Sequence, residues 1–220
     1  FRSDPDQFEV PRAKFHEVLA WHVARLQALT RLCRTEDVRT EVEQLMARGL
    51  PDADRTGTWL VAITTLAQAV ALLGDRVHAA QLYPKLLSYA QHNVIISFVA
   101  CRGSVSRFLG LLAATLGNHE DAGRHFEDAL AMNRRMGALP HVAATLHDYA
   151  VALIGTPTPE HVERALGLCR EALSIARDLG MNGLVVLCDE LLAAHGASTL
   201  PGAPRTEFEL VPRGAFWSVA

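Results

Sequence analysis

Ala79, Ala122 and Ala165 recur at a step of 43 residues, and the same step links Tyr83 to Phe126 and Cys169, and Leu86 to Ala129 and Ala172. Gly74 and Gly117 keep it, as do Gly137 and Gly180 in the contexts Arg-Met-Gly and Asp-Leu-Gly. Three columns sharing one period are hard to obtain by chance, even in an Ala- and Leu-rich chain. A period of about 20–50 residues marks a repeat array. Stacked units bury a continuous core, so length grows by adding units around no single centre. The 220 residues accommodate one such array, not two unrelated large domains.

Within each unit the apolar positions recur at helical rather than alternating spacing, and strands are not needed. One segment runs from Thr58 to Leu73, and Asp75 caps a second that ends near Gln91. The next pair is Val99 to Leu116, then Asn118 as cap with a helix to Met136. Glu120 and Asp121 sit in its first turn and Arg134 and Arg135 in its last, the order the helix dipole favours. A third pair is His141 to Ile154, then Thr158 as cap with Pro159 at the first helical position, running to Leu179. Leu184 to Ala194 reads as a closing helix over the last exposed face. Upstream, Pro11 to Cys33 and Thr35 to Arg48 form a degenerate pair, with Val38, Val42 and Leu45 at the landmark positions. Asn93 to Ala100 is too apolar for an exposed linker and is expected to lie against the helices. The predicted organisation is a helical domain over 1–196 and an extended tail over 197–220. In the domain, a first pair at 11–48 precedes repeats at about 56–92, 98–137 and 138–180 and a capping helix at 181–196.

Half of the residues are apolar and 20% are charged, which excludes bulk disorder. A formal charge of -3 without a basic block lacks the footprint of a nucleic-acid binder. No apolar run of about 18 residues calls for a membrane span. Cys33, Cys101, Cys169 and Cys188 show no C-x-x-C spacing and sit among apolar neighbours, so they read as reduced, buried hydrophobes of a cytoplasmic protein. Nothing before Trp21 has the pattern of a leader, and the chain reads as a piece of a longer one. Of 21 basic residues only Lys14 and Lys85 are lysines, a skew that points toward a GC-rich bacterial genome. The tail carries Leu210 to Gly214, Leu-Val-Pro-Arg-Gly, which matches a thrombin cleavage site; because Ala215 to Ala220 resembles no tag, native sequence is the preferred reading.

The middle unit places Leu109-Gly110, Gly117, Ala122, Phe126 and Ala129 where small and large residues alternate in the tetratricopeptide pattern, and it resembles that repeat. The preceding unit keeps Leu66-Ala67, Gly74, Ala79 and Tyr83; the following one keeps Tyr149-Ala150, Ala165 and Ala172, with Cys169 in the aromatic position and an inserted loop at Gly155 to Glu160. None has the usual closing proline, and the step exceeds the usual length of about 34 residues. The segments Ala80 to Asn93, Val99 to Gly117, His125 to Gly137 and His147 to Ala150, with Gly214 to Ala220, are similar to the tetratricopeptide-like region of large bacterial multidomain regulators. In those proteins an ATPase of AAA or STAND type precedes the repeats, with a cyclase or DNA-binding domain in some. The resemblance implies an all-α, right-handed α-α superhelix. It implies a non-enzymatic interaction and regulatory module that engages a protein or peptide, free of cofactors in this segment, since the catalytic domains of such regulators lie outside it.

The residues themselves offer little chemistry. No GxxxxGK[ST] loop surrounds either lysine. The histidine pairs 16/22, 119/125 and 141/147 are six apart, not at the i,i+4 spacing that lets two imidazoles share an ion, and they read as surface or capping residues. Ser104 and Ser106 lack a Gly-x-Ser-x-Gly elbow. Trp21, His22 and Trp59 read as packing residues. The informative positions are polar ones on the first helix of each pair: aligning the units puts Thr64, Arg107 and His147 in one column with Gln68 and Ser104 nearby, a candidate partner-binding groove. Arg107 can alternatively pair with Asp148 or Glu127 between helices. A groove of this kind also admits a second function, sensing of a small molecule. No cofactor, metal, nucleic acid or membrane is expected as a partner.

Overall fold

The computed structural model describes residues 19–49, 59–96, 100–156 and 158–196, together with the backbone of 210–213 and 216–219. The described chain is mostly helical: α1 (Leu19–Arg31), α2 (Thr35–Ala47), α3 (Trp59–Leu73), α4 (Arg76–Leu87), α5 (Val105–Leu116), α6 (His119–Arg135), α7 (Leu139–Ile154), α8 (Pro159–Asp178) and α9 (Asn182–Gly196). Each helix packs on the next within its pair, and the first helices also adjoin in series, α1 on α3, α3 on α5, α5 on α7 and α7 on α9. The first helices therefore run side by side, with Gln68, Arg107 and His147 half-buried on them and Thr64, Ser106 and Thr145 buried.

The 43-residue landmarks are the contacts of this stacking. Ala79, Ala129, Ala165 and Ala172 are fully buried, as are Phe126 and Cys169, and Ala122 is nearly so. Gly110 is small because a Cβ there would stand 2.8 Å from the Phe126 ring. Phe126 in turn stacks on Tyr149, with centroids 5.1 Å apart, joining one unit to the next. Gly117 takes φ 84° and ends α5 with its N–H on the carbonyls of Ala113 and Ala114, a left-handed cap that a side chain would strain. The caps at Asp75 and Thr158 form as expected: Asp75 accepts from the N–H groups of Val77 and His78, and Thr158 from that of His161. Asn118 holds the cap position of α6 but makes no side-chain capping bond.

Strands are present, which corrects the expectation of helices alone. β1 (Asn93–Ile96) and β2 (Ala100–Ser104) form an antiparallel hairpin between α4 and α5, with a register irregularity between Asn93 and Ile95. The β-branched run Val94-Ile95-Ile96 suits a pleated, half-buried surface better than a helix. Val94 is fully buried, so this stretch does lie against the helices, while Ile95 remains 46% exposed. The helix expected from Val99 begins at Val105, because the Ser104 side chain caps it by accepting from the Ser106 N–H. Likewise α4 stops at Leu87, short of Gln91, and α7 begins at Leu139, ahead of His141.

Two cysteines also differ from expectation. Cys169 and Cys188 are buried, but Cys33 and Cys101 are exposed. Cys33 lies in the turn between α1 and α2 with φ 52°, and Cys101 lies on β2, so neither sits on a core-facing helix stripe. Among the histidines, His22 is buried as its reading as a packing residue expects, whereas His125 is buried rather than superficial. His22 contacts Glu41 and Arg48 between α1 and α2, and Arg25 also reaches Glu41. Trp59 packs as expected, 5.1 Å from the Tyr89 ring. The α1–α2 pair falls within the degenerate first unit, whose residues 11–18 lie outside the described ones. In the tail, β3 (Leu210–Arg213) pairs antiparallel with β4 (Phe216–Val219); Gly214 and Ala215 lie outside the described residues.

Candidate functional site

The five groove residues expected from the sequence separate into two sets. Thr64 and Ser104 are fully buried. The Thr64 hydroxyl donates to the Leu60 carbonyl at 2.7 Å, and Ser104 is occupied as the α5 cap, so both hold structure in the interior and neither reaches the surface. Gln68, Arg107 and His147 are half-buried on the shared face of α3, α5 and α7. Arg107 donates from Nε to Asp148 Oδ2 at 2.7 Å, the interhelical pairing foreseen as its alternative use, and His147 Nδ1 lies 3.6 Å from Asp148 Oδ1. Burial pushes the Asp148 carboxyl up, but the Arg107 guanidinium and His147 outweigh it and hold the carboxyl below the usual carboxylate range.

Arg102, on β2, joins these groups and was not singled out by sequence. Its Nη1 donates to Thr65 Oγ1 at 2.6 Å and its Nη2 to Gln68 Oε1 at 3.3 Å, which ties the hairpin to α3. The guanidiniums of Arg102 and Arg107 each lie 5.5 Å from the centroid of the buried Phe108 ring. Two cations thus share one aromatic ring, a contact that tolerates partial desolvation of both. Arg102 has no carboxylate partner among the described residues; both of its acceptors are neutral oxygens. Burial, with Arg107 and Arg31 adding like charge, lowers its guanidinium to about 10, still charged at neutral pH.

The hairpin that carries Arg102 is fixed from below. Asn133, fully buried on α6, accepts the Ser104 N–H at 3.1 Å and donates to Thr145 Oγ1 on α7 at 3.3 Å. His141 is 2.8 Å from the Cys101 carbonyl through Nε2, and burial holds its imidazole below the ordinary histidine value despite that bond, with Arg107 and Arg102 contributing. Gly103 has φ 81°, and a Cβ there would meet the His141 side chain at 2.9 Å. The Arg-Gly-Ser run held a usable signal: glycine followed by a capping serine just before the amphipathic run places the helix start after Ser104 and leaves Arg102 outside it.

A second feature lies at the other end of α6. A cleft of about 450 Å³ opens between α6, α7 and α8, lined by His119, Gly123, Glu127, Tyr149, His161 and Arg164 among others. Several of its charges are paired: Arg164 Nη2 donates to Glu127 at 2.6 Å and covers the Tyr149 ring at 5.1 Å, while Arg124 pairs with Asp121. Among the described residues no group of three or more His, Cys, Asp or Glu side chains could hold a metal ion, and no helix is long and apolar enough to cross a membrane. No family model matches the chain, and neither a curated protein nor a solved structure matches it.

Proposed function

We propose that the chain is a non-enzymatic protein-interaction and regulatory module, built as a right-handed α-α superhelix of tetratricopeptide-like pairs. In this reading it belongs to a cytoplasmic, bacterial signalling or transcription-regulating ATPase and reports occupancy of its first-helix face to the rest of that protein. The observation that carries the reading is the serial contact of α1, α3, α5, α7 and α9, which lays half-buried polar side chains along one face. Rigid helices hold Gln68, Arg107 and His147 in place, so a partner would meet donors already ordered, at lower entropic cost than on loops.

Selection of binding peptides from a random displayed library tests it. Enrichment that depends on Arg107 and not on Arg124, which lies on α6, is the expected result. A second reading, small-molecule sensing, is favoured by the 450 Å³ cleft, whose size falls in the range of ligand pockets. A metabolite screen by thermal shift separates the two, because a ligand bound only by the folded state raises stability by RT ln(1 + [L]/Kd). A rise of several degrees with a metabolite, and no peptide enrichment, would reverse the order.

A further inference from the structure

We propose that Arg102, flanked by Arg107 and Arg31, anchors a side-chain carboxylate of an acidic peptide segment laid across α3, β2 and α5. The inference rests on the interaction reading above and names the chemistry of the partner.

Three observations support it. First, a guanidinium has five N–H donors, and Arg102 spends two on the neutral oxygens of Thr65 and Gln68. Those bonds and the Phe108 ring orient the planar fork without neutralising it. Second, the charge balance around it is one-sided. The charged neighbours that act on Arg102 are Arg107 and Arg31, both cations, while the Asp148 carboxylate beside Arg107 is taken by Arg107 and His147. This cationic strip stands out on a chain whose formal charge is -3. A half-buried guanidinium repelled by its neighbours gains more from a carboxylate than a solvated one does, because the cost of desolvating it is already met in the free protein.

Third, the form of the site favours a segment over a small anion. Arg31 ends α1, Arg102 lies on β2 and Arg107 on α5, so the cations come from three separate elements, one in the first pair and two in the unit at 98–137. Arg102 does not line the 450 Å³ cleft. An extended chain with more than one carboxylate can follow such a strip, with Gln68 and His147 available for its backbone and polar groups.

The test is a titration of the full isotope-labelled chain with a short peptide of alternating Glu and Gly, read by the arginine Nε–Hε resonances and backbone shifts. Perturbation should centre on Arg102 and Arg107 and weaken with added salt. The matching Gln-Gly peptide should not bind. Arg102→Gln should weaken binding by about tenfold or more, as loss of a charge-assisted bond implies. Arg31→Gln, at an exposed position with no side-chain hydrogen bond or ion pair among the described residues, should weaken it by about threefold, the scale of an exposed ion pair, and it serves if Arg102→Gln disturbs folding. Unchanged affinity in Arg31→Gln and in a folded Arg102→Gln would overturn the proposal, as would perturbation confined to α6 and α8. Inorganic phosphate or pyrophosphate competing more tightly than the peptide would identify a free-anion site instead, and no peptide binding at all would also overturn it. Binding of the Gln-Gly peptide on the same face would defeat the acidic-segment inference while leaving the interaction module standing.

Discussion

Arg107 on α5 and Asp148 on α7 are 41 positions apart in sequence, yet Nε and Oδ2 meet at 2.7 Å, bridging the first helices of two successive units. Both side chains are largely shielded, with 12% and 17% of their surface exposed. The pair bridges α5 and α7, and it engages the Asp148 carboxylate with Arg107 rather than with Arg102.

Removing either partner should therefore cost more than at an exposed pair. Asp148→Asn is expected to destabilise the fold by about 1.5–3 kcal/mol, the range for a hydrogen bond to a charged group. The carboxyl is held below its ordinary value in the fold, so its stabilising contribution is complete above about pH 4, the unfolded carboxylate value. That contribution is lost as pH falls through the lower folded value. Denaturant unfolding of the two proteins at neutral pH and near pH 3 should show the gap between them closing in acid.

Asn133 should act as the bolt of the hairpin. Asn133→Ala leaves the buried Ser104 N–H and the Thr145 hydroxyl without their present partner, at a cost of about 1–3 kcal/mol. Hydrogen exchange should rise at 100–104 before it rises in the body of α5. Uniform loosening of all helices would show that the contact stabilises only globally.

Much of the helix order was legible because packing is periodic. Ala79, Ala122 and Ala165 are fixed by close approach between helices, which only small residues permit, and so their spacing survives in the sequence. The hairpin was hidden for the opposite reason. Val94 and Ile96 are as compatible with a buried helix segment as with a strand, and a short apolar run does not settle the period. A helix drawn from Val99 would make Arg102 one more helical arginine, whereas on β2 it stands beside Arg107 and Phe108. Thr64 and Ser104 were placed on the groove because they are polar; their hydroxyls instead satisfy backbone groups inside the fold, a choice that residue type alone does not reveal.

Two glycines inside helices should respond oppositely to alanine. At Gly110 the new methyl would stand 2.8 Å from the Phe126 ring, so Gly110→Ala is expected to cost about 1–3 kcal/mol through overpacking. At Gly167, on α8, nothing lies within 4 Å of the added carbon, and Gly167→Ala should gain roughly 0.5–1 kcal/mol from helix propensity. Melting temperatures that move in the same direction for both would contradict this packing of α5 against α6.

His125 is buried on α6, with Nε2 2.9 Å from the Tyr83 hydroxyl across two units. Burial, and then Arg124, holds its imidazole below the ordinary histidine value. The unfolded chain consequently takes up the proton first as pH falls below about 6.5, and folded stability declines from there. His125→Gln should flatten the curve between about pH 7 and 5, with the remaining slope owed in part to His141, which is lowered for the same reason. An identical slope in the variant would remove His125 as its source.

The cysteines give the most direct check on the closing helix. Cys169 on α8 and Cys188 on α9 are fully buried against each other's helix, and the Cys169 thiol is 3.5 Å from the Cys188 carbonyl. Burial raises both thiols, with Cys188 pushed up to about 12, so neither is a ready thiolate at mild alkaline pH. Cys33 and Cys101 are exposed. A thiol reagent at about pH 8, near the ordinary cysteine value, should modify Cys33 and Cys101 quickly in the native protein, and Cys169 and Cys188 only after denaturation. Truncation before Met181 removes the helix that covers Cys169 and the apolar face of α8 formed with Ala165 and Ala172. That variant should lose structure cooperatively over the last unit and label Cys169 at the native-state rate of Cys101, since a repeat array without its terminal cover leaves its core to solvent. Continued protection of Cys169 in the truncated protein would mean that α9 is not what shields it.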